Sequence, residues 1–107
     1  MDGTSYAYTK LALNNKGITS VSEVIAEYPH LRQLELSSNS IEDVIHIQKL
    51  RFLAHINLNR NLIKDARCLS NSSIFPYLKS VNLSNNKLKA LPSVELLRLT
   101  SLNLNNN

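Results

Sequence analysis

The chain has 107 residues, 43% of them hydrophobic, with two glycines, one cysteine and no tryptophan, which is room for one compact domain with an ordinary core. Nothing reads as an apolar span of about 18 or more residues; the start "MDGTSYAYTK" lacks the basic-then-apolar order of a signal peptide. The lone Cys68 cannot close an internal disulfide, so a reducing, cytoplasmic setting is expected. The formal charge of +4 is split, with four Lys/Arg against six Asp/Glu in residues 1–50 and eight against two in residues 51–107. A basic half suits an acidic partner, and it equally suits a solvated surface.

Taken in chain order, the predicted elements repeat. "YTKLALNNKGI" starts at Tyr8 and reads as a short strand followed by a turn. "SVSEVIAEYPHL" follows as a helix, with Ser20 and Glu23 at capping-box spacing and an end before Pro29. "LRQLELSSNSI" starts at Leu31 and repeats the strand-and-turn pattern. After Asn39 the apolar residues are Ile41, Val44, Ile47, Leu50 and Leu53, every third position. "LAHINLNRNLI" starts at Leu53, and after it Ile63, Ala66, Leu69, Ser72, Phe75 and Leu78 keep the same spacing. "LKSVNLSNNKL" starts at Leu78, and "LTSLNLNNN" starts at Leu99. A period of three suits 3₁₀-like turns better than a regular α-helix.

Aligned on their second aliphatic position, the copies stand at Leu11, Leu34, Ile56, Val81 and Leu102, in steps of 23, 22, 25 and 21 residues. The longer step equals one extra turn of three near Asn71–Ser73. The shared template L-x-x-L-x-L-x-x-N-x-L resembles the leucine-rich repeat, in its 22-residue class. The resemblance covers roughly residues 8–107. It implies an α/β fold: a curved, right-handed leucine-rich repeat solenoid. Its parallel sheet is concave, and its convex segments are short helical or 3₁₀ pieces. The expected organisation is one domain over residues 1–107, in repeats 8–30, 31–52, 53–77, 78–98 and an incomplete 99–107. The stop at Asn107, straight after a strand, predicts a fragment of a longer chain.

The template asparagines are Asn39, Asn61, Asn86 and Asn107, and Lys16 stands at that position in the first copy. Each follows its strand, where the chain turns and leaves backbone groups without sheet partners. A carboxamide carries two donors and an acceptor and can satisfy them. The four are expected to form a buried ladder through the stack.

No catalytic constellation is visible. His30, His46 and His55 lack the close spacing of a metal site, and Gly3 and Gly17 cannot make a phosphate loop. Cys68 has no histidine beside it and reads as a packed thiol. Asn71 and Asn82 fit the glycosylation pattern and, with no signal peptide, are expected unmodified. An enzyme, a metal and a cofactor are therefore not expected.

The strand positions that alternate outward remain as a partner-binding concave face: Gln33, Glu35, Ser37, His55, Asn57, Asn59, Ser80, Asn82, Ser84 and Asn103. A basic edge formed by Arg60, Lys64, Lys87 and Lys89 follows the strands. Without interleaved aromatics it suggests an acidic protein segment rather than RNA.

"AYTKLALNNKGITSVSEVIAEYPHLRQLELSSNSIEDV" pairs an atypical first copy with a longer connection ending in "YPHLRQLELSSN". This arrangement resembles the leucine-rich-repeat subunit of axonemal radial spokes, most clearly over residues 5–41. The resemblance implies a non-enzymatic scaffold in the cytoskeleton of a cilium or flagellum. Its partners would be other proteins of an axonemal complex, with no membrane, nucleic acid or small-molecule substrate. The repeat class also resembles the leucine-rich light chain of outer-arm dynein, the phosphatase-1 regulatory repeat protein and a spliceosomal snRNP subunit.

Overall fold

A computed structural model describes residues 9–22, 28, 30–70, 74–89 and 99–107. Five strands form one sheet: β1 (Lys10–Ala12), β2 (Gln33–Glu35), β3 (His55–Asn57), β4 (Ser80–Asn82) and β5 (Ser101–Asn103). They lie in chain order, and every neighbouring pair is parallel. The register places Leu11, Leu34, Ile56, Val81 and Leu102 side by side, the same positions that align in the sequence. Each turn of chain thus adds one strand beside the last, and the fold is a solenoid with little helix.

A parallel pair must be joined by a crossover, and the apolar spacing determines its form. Between β2 and β3 a 3₁₀ helix spans Ile45–Lys49, and between β3 and β4 another spans Arg67–Ser70. The backbone bonds join residues three apart: Ile47 N–H to Val44 O at 2.9 Å, Leu50 N–H to Ile47 O at 2.9 Å, and Leu69 N–H to Ala66 O at 3.0 Å. In such a turn residues at i and i+3 share a face. Ile41, Val44, Ile47, Leu50 and Leu53 are accordingly all fully buried. Asp43 and Asp65 each start one of these segments. The Oδ1 of Asp43 accepts from Ile45 N–H, and that of Asp65 from Arg67 N–H, both at 2.9 Å. The helix expected over "SVSEVIAEYPHL" and the extra turn near Asn71–Ser73 fall mostly or wholly outside the described residues. At the front of that helix segment, Ser22 N–H donates to Ser20 Oγ at 3.2 Å.

One core cluster runs from Ile18 to Leu83. It is built by the inward strand residues Leu34, Ile56 and Val81, by Leu36, Leu58 and Leu83 just beyond the strands, and by the period-three residues behind. Leu102, on the edge strand β5, is 44% exposed.

The asparagine ladder is present, and it has a direction. Asn61 Oδ1 accepts from Ile41 N–H of the preceding repeat at 3.1 Å. Its Nδ2 donates to Leu36 O of that repeat at 2.9 Å and to its own repeat's Leu58 O at 3.1 Å. Asn86 makes the same bonds to Ile63 N–H, Leu58 O and Leu83 O. Asn39 does so to Ile18 N–H, Leu13 O and Leu36 O, and Asn107 to Leu88 N–H, Leu83 O and Leu104 O. This explains Lys16. The first turn needs no asparagine of its own, because Asn39 reaches back to it and also takes Lys16 N–H at 2.9 Å. The expectation of uniform burial needs correction. Asn61 and Asn86 are buried, whereas Asn39 is half-buried and Asn107 exposed. Asn39 stacks on the first turn, whose residues Asn14 to Gly17 are all exposed, and Asn107 has no described turn beyond it.

The residue before each rung, and before Lys16 in the first turn, takes a left-handed backbone: Asn15, Ser38, Arg60, Asn85 and Asn106 have φ between 57° and 62°. That reverses the chain direction after each strand, and asparagine tolerates it best of the non-glycine residues.

Candidate protein-binding face

The outward residues of the strands form aligned rows. Lys10, Gln33, His55, Ser80 and Ser101 make the first, and Ala12, Glu35, Asn57, Asn82 and Asn103 the second. A shallow depression of about 450 Å³ crosses the sheet here, lined by Gln33, Glu35, His55, Asn57, Ser80, Asn82 and Asn103 among others. These seven predicted binding residues are brought together.

The second row has a defined chemistry. Asn57, Asn82 and Asn103 each turn Oδ1 toward the backbone N–H two residues on, at Asn59, Ser84 and Asn105, all at 3.0 Å. A backbone N–H can only donate, so each carboxamide is fixed with its oxygen toward the turn. Its Nδ2 donors stay on the face and bond nothing among the described residues. The face therefore offers a row of neutral amide donors, suited to carbonyls or carboxylates of a partner. Glu35 closes the row at one end. It is held by Lys10 Nζ at 3.3 Å and by Gln33 Nε2 at 3.3 Å. In the first row His55 Nδ1 and Ser80 Oγ are 2.7 Å apart.

Ser37, Asn59 and Ser84, also predicted on this face and two residues beyond the second row, are different. Ser84 is buried, and its hydroxyl lies 2.8 Å from Asn59 Oδ1 and 2.6 Å from Asn82 Oδ1. Asn59 Oδ1 also accepts from Asn85 Nδ2 at 2.9 Å, and Ser37 Oγ donates to Asn14 Oδ1 at 2.9 Å. Ser37, Asn59 and Ser84 therefore tie adjacent turns together. Ser84 is not available to a partner, which corrects its place on the predicted face. Apart from the Ser84–Asn82 contact, two positions apart, these bonds join residues 23 to 26 positions apart, so no local signal announces them.

The basic edge is gathered in part. Lys64, Lys87 and Lys89 rim a groove of about 740 Å³ whose walls include Leu62, Asn86, Asn106 and Asn107. Leu62 is 39% exposed in it. Arg60 does not line this groove; it sits on the left-handed turn position before Asn61. Glu42 shares the rim, with Lys64 Nζ 3.9 Å from its Oε1.

Behind the sheet Asp65 is paired with Arg67 and Cys68 is quenched. The Arg67 guanidinium donates to Asp65 at 2.8 Å, and this bond, helped by the Arg67 backbone N–H, holds the Asp65 carboxyl down at about 2. Burial, with the charges of Asp43 and Asp65 adding to it, pushes the Cys68 thiol up to about 11. Its Sγ lies 3.6 Å from Val44 O. A thiol so placed is a packing group and a poor nucleophile.

Sequence reasoning missed an aromatic row. Phe52 and Tyr77 are exposed, and the Phe52 ring centroid lies 5.7 Å from that of His30 and 6.3 Å from that of Tyr77. The signal was available: each ring stands immediately before the first leucine of its copy, at Leu31, Leu53 and Leu78.

No protein-family model matches the chain. Leucine-rich repeat-containing protein 23 of Bos taurus is 26% identical over 106 residues, which cover 99% of this chain and 30% of that protein. The Homo sapiens protein of the same name is 26% identical over 106 residues, covering 99% of this chain and 29% of that protein. The Homo sapiens leucine-rich repeat and guanylate kinase domain-containing protein is 34% identical over 59 residues, 55% of this chain and 7% of that protein. The chain thus spans less than a third of the length of the curated relatives it matches. These names agree with the repeat template in the sequence and with a parallel-sheet solenoid.

Proposed function

We propose that the chain is a non-enzymatic protein–protein interaction segment, using the open face of the sheet to hold a partner polypeptide. The observation that carries this is the row of outward amide donors on Asn57, Asn82 and Asn103, in register across three strands. Such a row suits carbonyls spaced along a peptide. Protein relatives with leucine-rich repeats in their names support the class. The finer reading is a structural subunit of the ciliary axoneme, in the radial spoke, with a right-handed curved coil. It rests on the resemblance over residues 5–41, because the relatives' names carry no word on location.

The test is affinity capture with the full-length protein from ciliated and non-ciliated cells, alongside an Asn57→Arg/Asn82→Arg variant. The reading expects axonemal spoke subunits from ciliated cells only, and their loss with the variant. Recovery of a phosphatase or of splicing factors would replace the axonemal assignment. Capture unchanged by two arginines on the face would remove the open face as the binding surface.

A further inference from the structure

The side of the solenoid where the chain enters the strands carries chemistry that the open face lacks. His30, Phe52 and Tyr77 stand three residues ahead of Gln33, His55 and Ser80, so the sheet register lines them up. Phe52 is 42% exposed and Tyr77 46% exposed. The Phe52 ring has His30 on one side, tilted 42° to it, and Tyr77 on the other, 15° from parallel. The row leaves over two-fifths of Phe52 and Tyr77 open to solvent, and exposed aromatic rings are what protein contacts select as anchors.

The described charges beside the row share one sign. Arg32 and Lys79 occupy equivalent positions just ahead of β2 and β4. Ala54 N–H and His55 N–H both donate to Arg32 O, and Thr100 N–H and Ser101 N–H both donate to Lys79 O. Arg51 directly precedes Phe52. The described carboxylates, Glu35, Glu42, Asp43 and Asp65, all lie at the ends of strands or beyond them, away from these entries. None of Arg32, Arg51 and Lys79 has a carboxylate partner among the described residues, where the ion pairs join Lys10, Lys64 and Arg67 to acids.

We infer that this entry edge is a second docking surface, which takes an acidic segment of another protein carrying an aromatic or aliphatic anchor. The cations supply the charge complementarity and the ring row the anchor contact. A single-stranded nucleic acid would share the negative charge, but base stacking needs a free ring face. Phe52 has a ring on either side, which makes its own faces the less available ones for a base. The surface is distinct from the amide row on the sheet, and this inference does not rest on that reading.

The experiment is selection of random displayed dodecapeptides on the immobilised full chain and, in parallel, on a Phe52→Ser/Tyr77→Ser variant. An Arg32→Glu/Lys79→Glu variant completes the set. Far-ultraviolet circular dichroism and a urea melt check that each variant is folded; if the serine pair unfolds, Tyr77→Ser alone replaces it. The proposal expects enriched peptides rich in Asp and Glu around one aromatic or Leu, weakened about tenfold or more by either variant. Asn57→Arg/Asn82→Arg should leave them unchanged. Peptides without acidic residues, peptides held equally by the variants, or no enrichment would overturn it. Tighter, ring-dependent binding of oligothymidylate than of any selected peptide would overturn it in favour of nucleic acid.

Discussion

Asn61→Leu removes a buried rung without opening a cavity, because leucine has nearly the shape of asparagine. Asn61 is only 3% exposed. The loss is not one bond per contact. Leu36 O keeps Asn39 Nδ2 at 2.9 Å, and Leu58 O keeps Asn86 Nδ2 at 2.9 Å. The group left with nothing is Ile41 N–H, which loses its one acceptor, Asn61 Oδ1. An orphaned buried donor costs about 1–3 kcal/mol, and that sets the expected destabilisation. Urea unfolding followed by circular dichroism should show a lower midpoint with an unchanged slope. Asn107→Leu, at an exposed rung, should cost well under half as much, since water can reach the groups it uncovers. The double variant Asn39→Leu/Asn61→Leu should exceed the sum of its singles, because only together do they strip both donors from Leu36 O. Equal costs at Asn61 and Asn107, or strict additivity in the pair, would refute this account of the ladder.

The other predictions concern single positions. Ser38→Asn and Arg60→Asn place a tolerant residue at φ values of 58° and 59° and should each stabilise by about 0.5–1 kcal/mol in the same urea assay. Asp65 is held at about 2 in the fold against 3.8 for a free side chain. Its folded value is depressed, so its contribution is complete above about pH 4 and is lost as pH falls through about 2. Asp65→Asn should flatten that limb of an acid titration of stability. With its thiol near 11, Cys68 should be almost wholly protonated at about pH 8 and should react with iodoacetamide far more slowly than free cysteine. Addition of urea past the unfolding midpoint should restore the ordinary rate.

Much of the fold was legible because the repeat states it several times. Aligning Leu34, Ile56 and Val81 by template is the same operation as pairing β2, β3 and β4. The period of three in Ile41, Val44, Ile47 and Leu50 determines which residues the crossover buries, and therefore its 3₁₀ form. What lay beyond the sequence was lateral. Ser84 and Asn57 occupy similar outward positions in the template, yet one is buried by Asn59 from the neighbouring turn and the other keeps free donors. That outcome depends on which side chains become neighbours across a repeat, at a distance no window of sequence covers. The aromatic row was hidden for a different reason. Its members fall outside the template's consensus positions, so a search guided by leucines and asparagines passes over them.

The rungs all reach toward the amino terminus, and this gives the coil an arrow in time. As the chain leaves the ribosome, a freshly made bend has its own asparagine on its carbonyls, but one backbone donor, such as Ile41 N–H, waits for the next asparagine some twenty residues later. Synthesis therefore finishes each coil one step late. Trimming coils from the front would leave the donors of the remaining bends paired as before, whereas trimming from the back would free the donor that the lost asparagine had held.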